Sequence, residues 1–194
     1  MPRTGRLKLS HDISNSIPLL GICAYGSGCG KTTLLERLIP VLQERGIRVS
    51  IIKHAHHSFD IDHPGKDSYR LRQAGAVQTM LGSSKRWALM TELAAEHEPQ
   101  LEELAAKLDP LLADLVLVEG FKQAPIPKLE VHRPRLGMPL LAREDTTIIA
   151  VATDAPIDIA LPMLDLNNVD MVAAFISQWL EAQTISKQLA QPTP

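Results

Sequence analysis

A chain of 194 residues, 45% of them apolar, can bury one substantial core without disulfide or metal staples. Its formal charge of -2 lies too near balance for the field of a nucleic-acid or membrane-surface binder, so neither partner is expected. The two cysteines, Cys23 and Cys29, sit in an apolar run and a glycine-rich turn, where a disulfide would tie up the turn; they read as free thiols of a reducing, cytoplasmic compartment.

Residues 1–16 are polar and aperiodic and read as a flexible N-terminal extension. Arg3, Arg6 and Lys8 ahead of the apolar run Ile17–Tyr25 imitate a signal peptide. Nine apolar residues are too few to span a bilayer, so the run reads as a strand buried on both faces. Lys31–Arg45 repeats leucine and valine at helical spacing, with Gly46 placed to end the helix and Pro40 to kink it. Arg48–His54 is a second buried strand. A polar stretch follows it, with His54, His56, His57, Asp60, Asp62 and His63, and then a short helix carrying Arg70 and Arg72.

Val77–Gly82 and Trp87–Thr91, joined through Ser83–Arg86, form a hairpin, whose arginine meets phosphate or covers the indole. A helix is expected over Pro99–Leu108, strands at Leu115–Glu119, Lys128–His132 and Thr146–Thr153, and a last helix over Asn168–Glu181. Residues 184–194 read as a flexible tail, leaving 17–183 as one domain. Strands alternating with helices predict an α/β fold, a doubly wound, mostly parallel sheet with helices on both faces and an added antiparallel hairpin.

Between the first strand and first helix stands Tyr25-Gly26-Ser27-Gly28-Cys29-Gly30-Lys31-Thr32-Thr33. Glycines permit a tight turn with inward amides, and a helix N-terminus adds positive dipole character. Lys31 supplies a cation for the outer phosphates and Thr32 a hydroxyl for Mg²⁺; Gly28, Cys29, Gly30 and Thr33 complete the loop. Tyr25 occupies the place of the usual first glycine, with Gly26 one residue later. A lysine-bearing turn of this composition arises by chance on the order of 10⁻⁴ of the time, so the P-loop NTPase type of fold is expected. Cys29 is then only a small loop residue.

Asp114-Leu115-Val116-Leu117-Val118-Glu119-Gly120 is a buried run ending in an acid, which a doubly wound sheet delivers beside the phosphates. Glu119 is placed to hold a Mg²⁺-bound water or orient the attacking one, Gly120 to donate its N–H to the outer phosphate, and Asp114 to cap a turn. The histidine cluster has no cysteine near it, and zinc would have to recruit Asp60 or Asp62; contacts to phosphate or substrate, or a solvated loop, are the other readings.

The ordered set Gly-Cys-Gly-Lys-Thr-Thr at 28–33, Ile-Lys-His at 52–54, Pro-Gly-Lys-Asp-Ser-Tyr at 64–69, Arg-Trp-Ala-Leu-Met-Thr-Glu at 86–92 and Leu-Val-Glu-Gly-Phe-Lys at 117–122 resembles the molybdopterin-guanine dinucleotide biosynthesis adapter (MobB) family over about 17–182. The resemblance implies a GTP-binding homodimer with weak GTPase activity that assists a molybdopterin guanylyltransferase. It also implies contact with molybdopterin or its guanine dinucleotide. Carried over by position, Gly28–Thr33 bind phosphates and Mg²⁺, Lys31 and Glu119 act on the reaction, and Asp62 and Glu119 are the metal-side carboxylates. The usual N-K-x-D guanine signature is absent; Asp154 either meets the base or caps the turn before Pro156. The alternative is a small-molecule kinase, for which Arg133, Arg135 and Arg143 would form a cationic lid.

Overall fold

A computed structural model describes residues 17–55, 60–95 and 98–190. The N-terminal extension, His56 and His57 of the histidine cluster, and the last four residues of the tail lie outside them. The chain divides into two compact units, residues 55–100 forming the second and the remainder the first.

In the first unit, strands β1 (Leu19–Cys23), β2 (Val49–Lys53), β5 (Leu115–Glu119), β6 (Lys128–His132), β7 (Ile148–Thr153) and β8 (Met163–Asp165) make one sheet in the order β2-β5-β1-β6-β7-β8. Every pairing in it is parallel. Side chains alternate between two covered faces, which is why β1, β5 and β7 are nearly continuous in apolar residues. Leu115 and Leu117 join Leu20 and Ile22 under helices α1 (Lys31–Glu44) and α4 (Val169–Ala190). Val116 and Val118 face the other way, onto Leu101 of the short helix α3 (Leu101–Ala105).

Beyond α3 that second face is covered by irregular chain: Leu140–Ala142 and Ile157–Leu161 pack on Cys23, Ile148 and Val151. Burial there pushes the Cys23 thiol up to about 12, helped by the Glu130 carboxylate nearby. Both cysteines are free and buried.

Boundaries moved where packing outvoted periodicity. α1 runs unbroken through Pro40, which lies on the exposed side, and Gly46 at φ 80° ends it as expected. α4 continues nine residues past Glu181, through most of the stretch read as tail. α3 is shorter than its pattern. β8, with only three residues, carries too little periodicity to be seen in sequence. In the second unit, helix α2 (Asp67–Gln73) precedes the expected hairpin of β3 (Gln78–Gly82) and β4 (Trp87–Thr91), antiparallel with Met80 opposite Leu89.

Candidate functional site

β1 is central in the sheet: β5 and then β2 lie to one side, β6, β7 and β8 to the other. The carboxyl end of such a strand is where a doubly wound sheet opens a crevice. The glycine loop occupies that end. Gly28 and Gly30 adopt φ of 74° and 99°, a left-handed conformation that side chains resist, and Gly30 is the N-cap of α1. No side chain caps the helix, so its first amides are left for an anion. Lys31 donates from Nζ to the Gly26 carbonyl at 3.0 Å, folded back over its own loop.

The acid expected opposite is there. Glu119 ends β5, beside β1, and its Oε1 accepts from the Thr32 hydroxyl at 3.1 Å. Its Oε2 pairs with Lys53 at 3.3 Å, delivered by β2 in register with β5. The carboxylate is mostly covered, with 12% of its side chain exposed.

The next residues are built around close approach. A Cβ on Gly120 would fall 2.6 Å from the His54 Cβ, and Gly120 has φ 96°. The His54 amide donates to the Glu119 carbonyl at 2.9 Å. Its ring stacks on Phe121 at 4.8 Å, Phe121 itself holding φ 45°. Lys122 then donates to the Tyr25 carbonyl at 2.6 Å, tying the acidic turn to the glycine loop.

On the β6 side, Arg133 donates from Nε to the Cys29 carbonyl at 3.1 Å, and its guanidinium lies against Gly30. Asp154, just past β7, pairs with Arg133 and stands 3.8 Å from Arg135. Arg133, one of the three arginines expected as a mobile lid, is thus held in place, whereas Arg135 keeps 74% of its side chain exposed. Asp154 does not cap the turn before Pro156; the Thr153 hydroxyl donates to the Ala155 carbonyl there instead. Asp114 anchors Arg48 through both its oxygens.

Asp62 lies in the second unit. Its Oδ1 accepts from Ser68 and the His63 amide at 3.0 Å each, while Oδ2 is buried with no partner among the described residues. Arg72 pairs there with Asp60 and Glu92, and Arg70 stands 3.8 Å from Asp67. No group of three or more metal-ligating side chains occurs among the described residues.

The hard oxygens of Thr32 and Glu119 fit Mg²⁺, and Lys31 with the open helix end fits a polyphosphate. Sequence reasoning missed the partnerships of Lys53, Lys122 and Arg133. Each depends on strand order, and no local pattern announces that β2 and β6 end beside the loop.

A parallel sheet with a glycine loop at its switch point, a lysine on the first helix and an acid one strand over defines a P-loop NTPase-like protein. The family model described as molybdopterin guanine dinucleotide synthesis protein B matches residues 19–154, and the chain belongs to that MobB family. Over 168 residues it is 51% identical to the molybdopterin-guanine dinucleotide biosynthesis adapter protein of Haemophilus influenzae, covering 87% of this chain and 92% of the relative. The protein of the same name from Escherichia coli is 49% identical, with 86% and 95% covered. A solved structure of molybdopterin-guanine biosynthesis protein B superposes with a TM-score of 0.64 at 26% identity, covering 83% of this chain and 99% of that one.

Proposed function

We propose that the chain is a GTP-binding adapter with weak GTPase activity, working in the synthesis of molybdopterin guanine dinucleotide. The observation that carries this is the 3.1 Å pairing of Thr32 with Glu119 beside a lysine folded over an open phosphate loop. Lys31 leaves the Gly26 carbonyl to meet the outer phosphates, the amides of Gly28 to Thr33 bind phosphate oxygens, and Gly120 offers its N–H from the acidic turn. Thr32 and Glu119 hold Mg²⁺ on the metal side. Mg²⁺ when bound neutralises charge on the phosphates. Glu119 orients the attacking water, and Lys53 restrains that carboxylate.

Asp154 serves the nucleotide site by holding Arg133 on the Cys29 carbonyl. A direct contact of its carboxylate with the base requires Arg133 to give way. Slow turnover suits a protein whose nucleotide state is its message.

The partners that fit are a molybdopterin guanylyltransferase, molybdopterin or its guanine dinucleotide, and a second copy of the chain. The hairpin supports the last of these. Met80, Leu89 and Trp87 share one face and stay 64%, 45% and 68% exposed, an apolar surface unusual on a monomer. A cytoplasmic setting fits the two free thiols.

Phosphate release should be slow alone and should change when guanylyltransferase and molybdopterin are both added. Appearance of the terminal phosphate on a small acceptor would overturn the adapter reading in favour of a kinase.

A further inference from the structure

The glycine loop is gripped from outside by two cationic side chains. Lys122 donates from Nζ to the Tyr25 carbonyl at 2.6 Å, and Arg133 donates from Nε to the Cys29 carbonyl at 3.1 Å. Both peptides are trans, and a trans peptide points its N–H away from its carbonyl. Drawing the Tyr25 carbonyl toward Lys122 turns the Gly26 amide the opposite way; drawing the Cys29 carbonyl toward Arg133 does the same for Gly30. Lys122 follows β5 and Arg133 follows β6, on opposite sides of β1, so the two amides are turned toward the space between them. Among the described residues neither amide donates to a protein acceptor. Amides in that state are completed by water or a ligand.

Each grip has its own support. Phe121, beside Lys122, holds φ 45°, a left-handed conformation that a non-glycine residue keeps only when its surroundings over-determine it. Its ring stacks on His54 at 4.8 Å. Arg133 is paired with Asp154, the two side chains being 21% and 15% exposed, and a Cβ on Gly30 would fall 3.4 Å from its Nη2. Lys122 is exposed, so its bond is the weaker of the two. It falls at Tyr25, the one position where the loop departs from the usual glycine pattern.

We propose that Lys122, Arg133 and Asp154 are positioning residues of the nucleotide site. Lys122 and Arg133 hold two loop carbonyls outward, so that the Gly26 and Gly30 amides face the phosphates before a ligand arrives. Asp154 keeps Arg133 on its carbonyl. The inference rests on the reading that this loop binds a nucleotide. Amides fixed in advance bind an anion without first having to order the loop. Field and geometry then act in opposite directions at Asp154. Removing a carboxylate beside a polyanion strengthens binding if charge alone matters. If Asp154 positions Arg133, the same change weakens it.

The test titrates inorganic pyrophosphate with Mg²⁺ into the full-length protein by calorimetry. Pyrophosphate has no base, so a contact between Asp154 and guanine cannot enter the result. Asp154→Asn should weaken its binding about tenfold, and Lys122→Met, which removes an exposed bond, about threefold. In the ¹⁵N–¹H spectrum of the ligand-free Asp154→Asn protein the Gly30 amide should shift. Gly46, at the other end of α1, should keep its position and report an intact fold.

Pyrophosphate binding as tight as the parent's, or tighter, in either variant overturns the proposal and leaves the nucleotide reading standing. A parent protein that takes Mg-GTP but not pyrophosphate also overturns it, because a preset anion cradle needs no base. A parent that binds neither overturns the nucleotide reading, and this inference with it.

Discussion

Gly120 is where single atoms decide most. Its φ of 96° disfavours any side chain, and the first atom of one would overlap the His54 Cβ. Gly120→Ala is expected to cost about 1–3 kcal/mol in thermal or urea unfolding, because the turn must shift to accept it. The shift would also carry Glu119 away from Thr32, so nucleotide affinity should fall with stability; a variant as stable as the parent would contradict the described turn. Gly120 was legible in sequence as a glycine after an acid, and its proposed role was a phosphate contact. The steric reason for it, His54 arriving from β2, is long-range and has no local signature. Asp154 teaches the same lesson. Its position after a strand marked it as a base or cap residue, and neither pattern could reveal two arginines converging on its carboxylate.

At the level of elements, the join between β6 and β7 turns on one buried ion pair. Lys128, with 3% of its side chain exposed, donates to Asp145 at 2.9 Å and to Thr147 at 2.6 Å. Removing its partner by Asp145→Asn leaves an ammonium uncompensated. The expected destabilisation is near the low end of the ~3–5 kcal/mol typical of a broken buried pair, since Asp145 keeps 29% of its surface in solvent. Burial works against ionisation of Asp145, but hydrogen bonds from Thr147 and Lys128 outweigh it and hold the carboxyl below its usual value. A lowered carboxyl stabilises the fold above the ordinary aspartate range and loses that contribution as pH falls through its folded value. Asp145→Asn should therefore flatten the acid limb of the stability curve, and an unchanged limb in acid titration would count against the pair.

Strands β1, β5 and β7 were readable because burial on both faces leaves nearly continuous apolar runs. The hairpin was readable from its turn. The second face was not fully readable: the segments at 140–142 and 157–161 cover it without any period, and β6 alternates Lys128, Glu130 and His132 with Leu129 and Val131.

For the whole molecule, the alternation of strands and helices gave the doubly wound class, and the glycine loop located the site at its crevice. Strand order, the division into two units and the full length of α4 came only from tertiary packing. The exposed hairpin face bears on assembly. If the proposed pairing of two copies uses this face, Trp87→Glu with Met80→Glu should lower the mass seen in light scattering to that of one chain, with GTP affinity unchanged; a dimer that survives both charges places the interface elsewhere. The central claim is that the amides and lysine at the start of α1 receive a guanine nucleotide's phosphates. Calorimetric titration of Mg-GTP and Mg-ATP into the parent and Lys31→Ala proteins tests it most directly. One GTP should bind per chain in preference to ATP, and loss of the lysine's charge-assisted contact, worth about 1.5–3 kcal/mol, should weaken it at least about tenfold. Equal affinity in the Lys31→Ala protein would contradict the account.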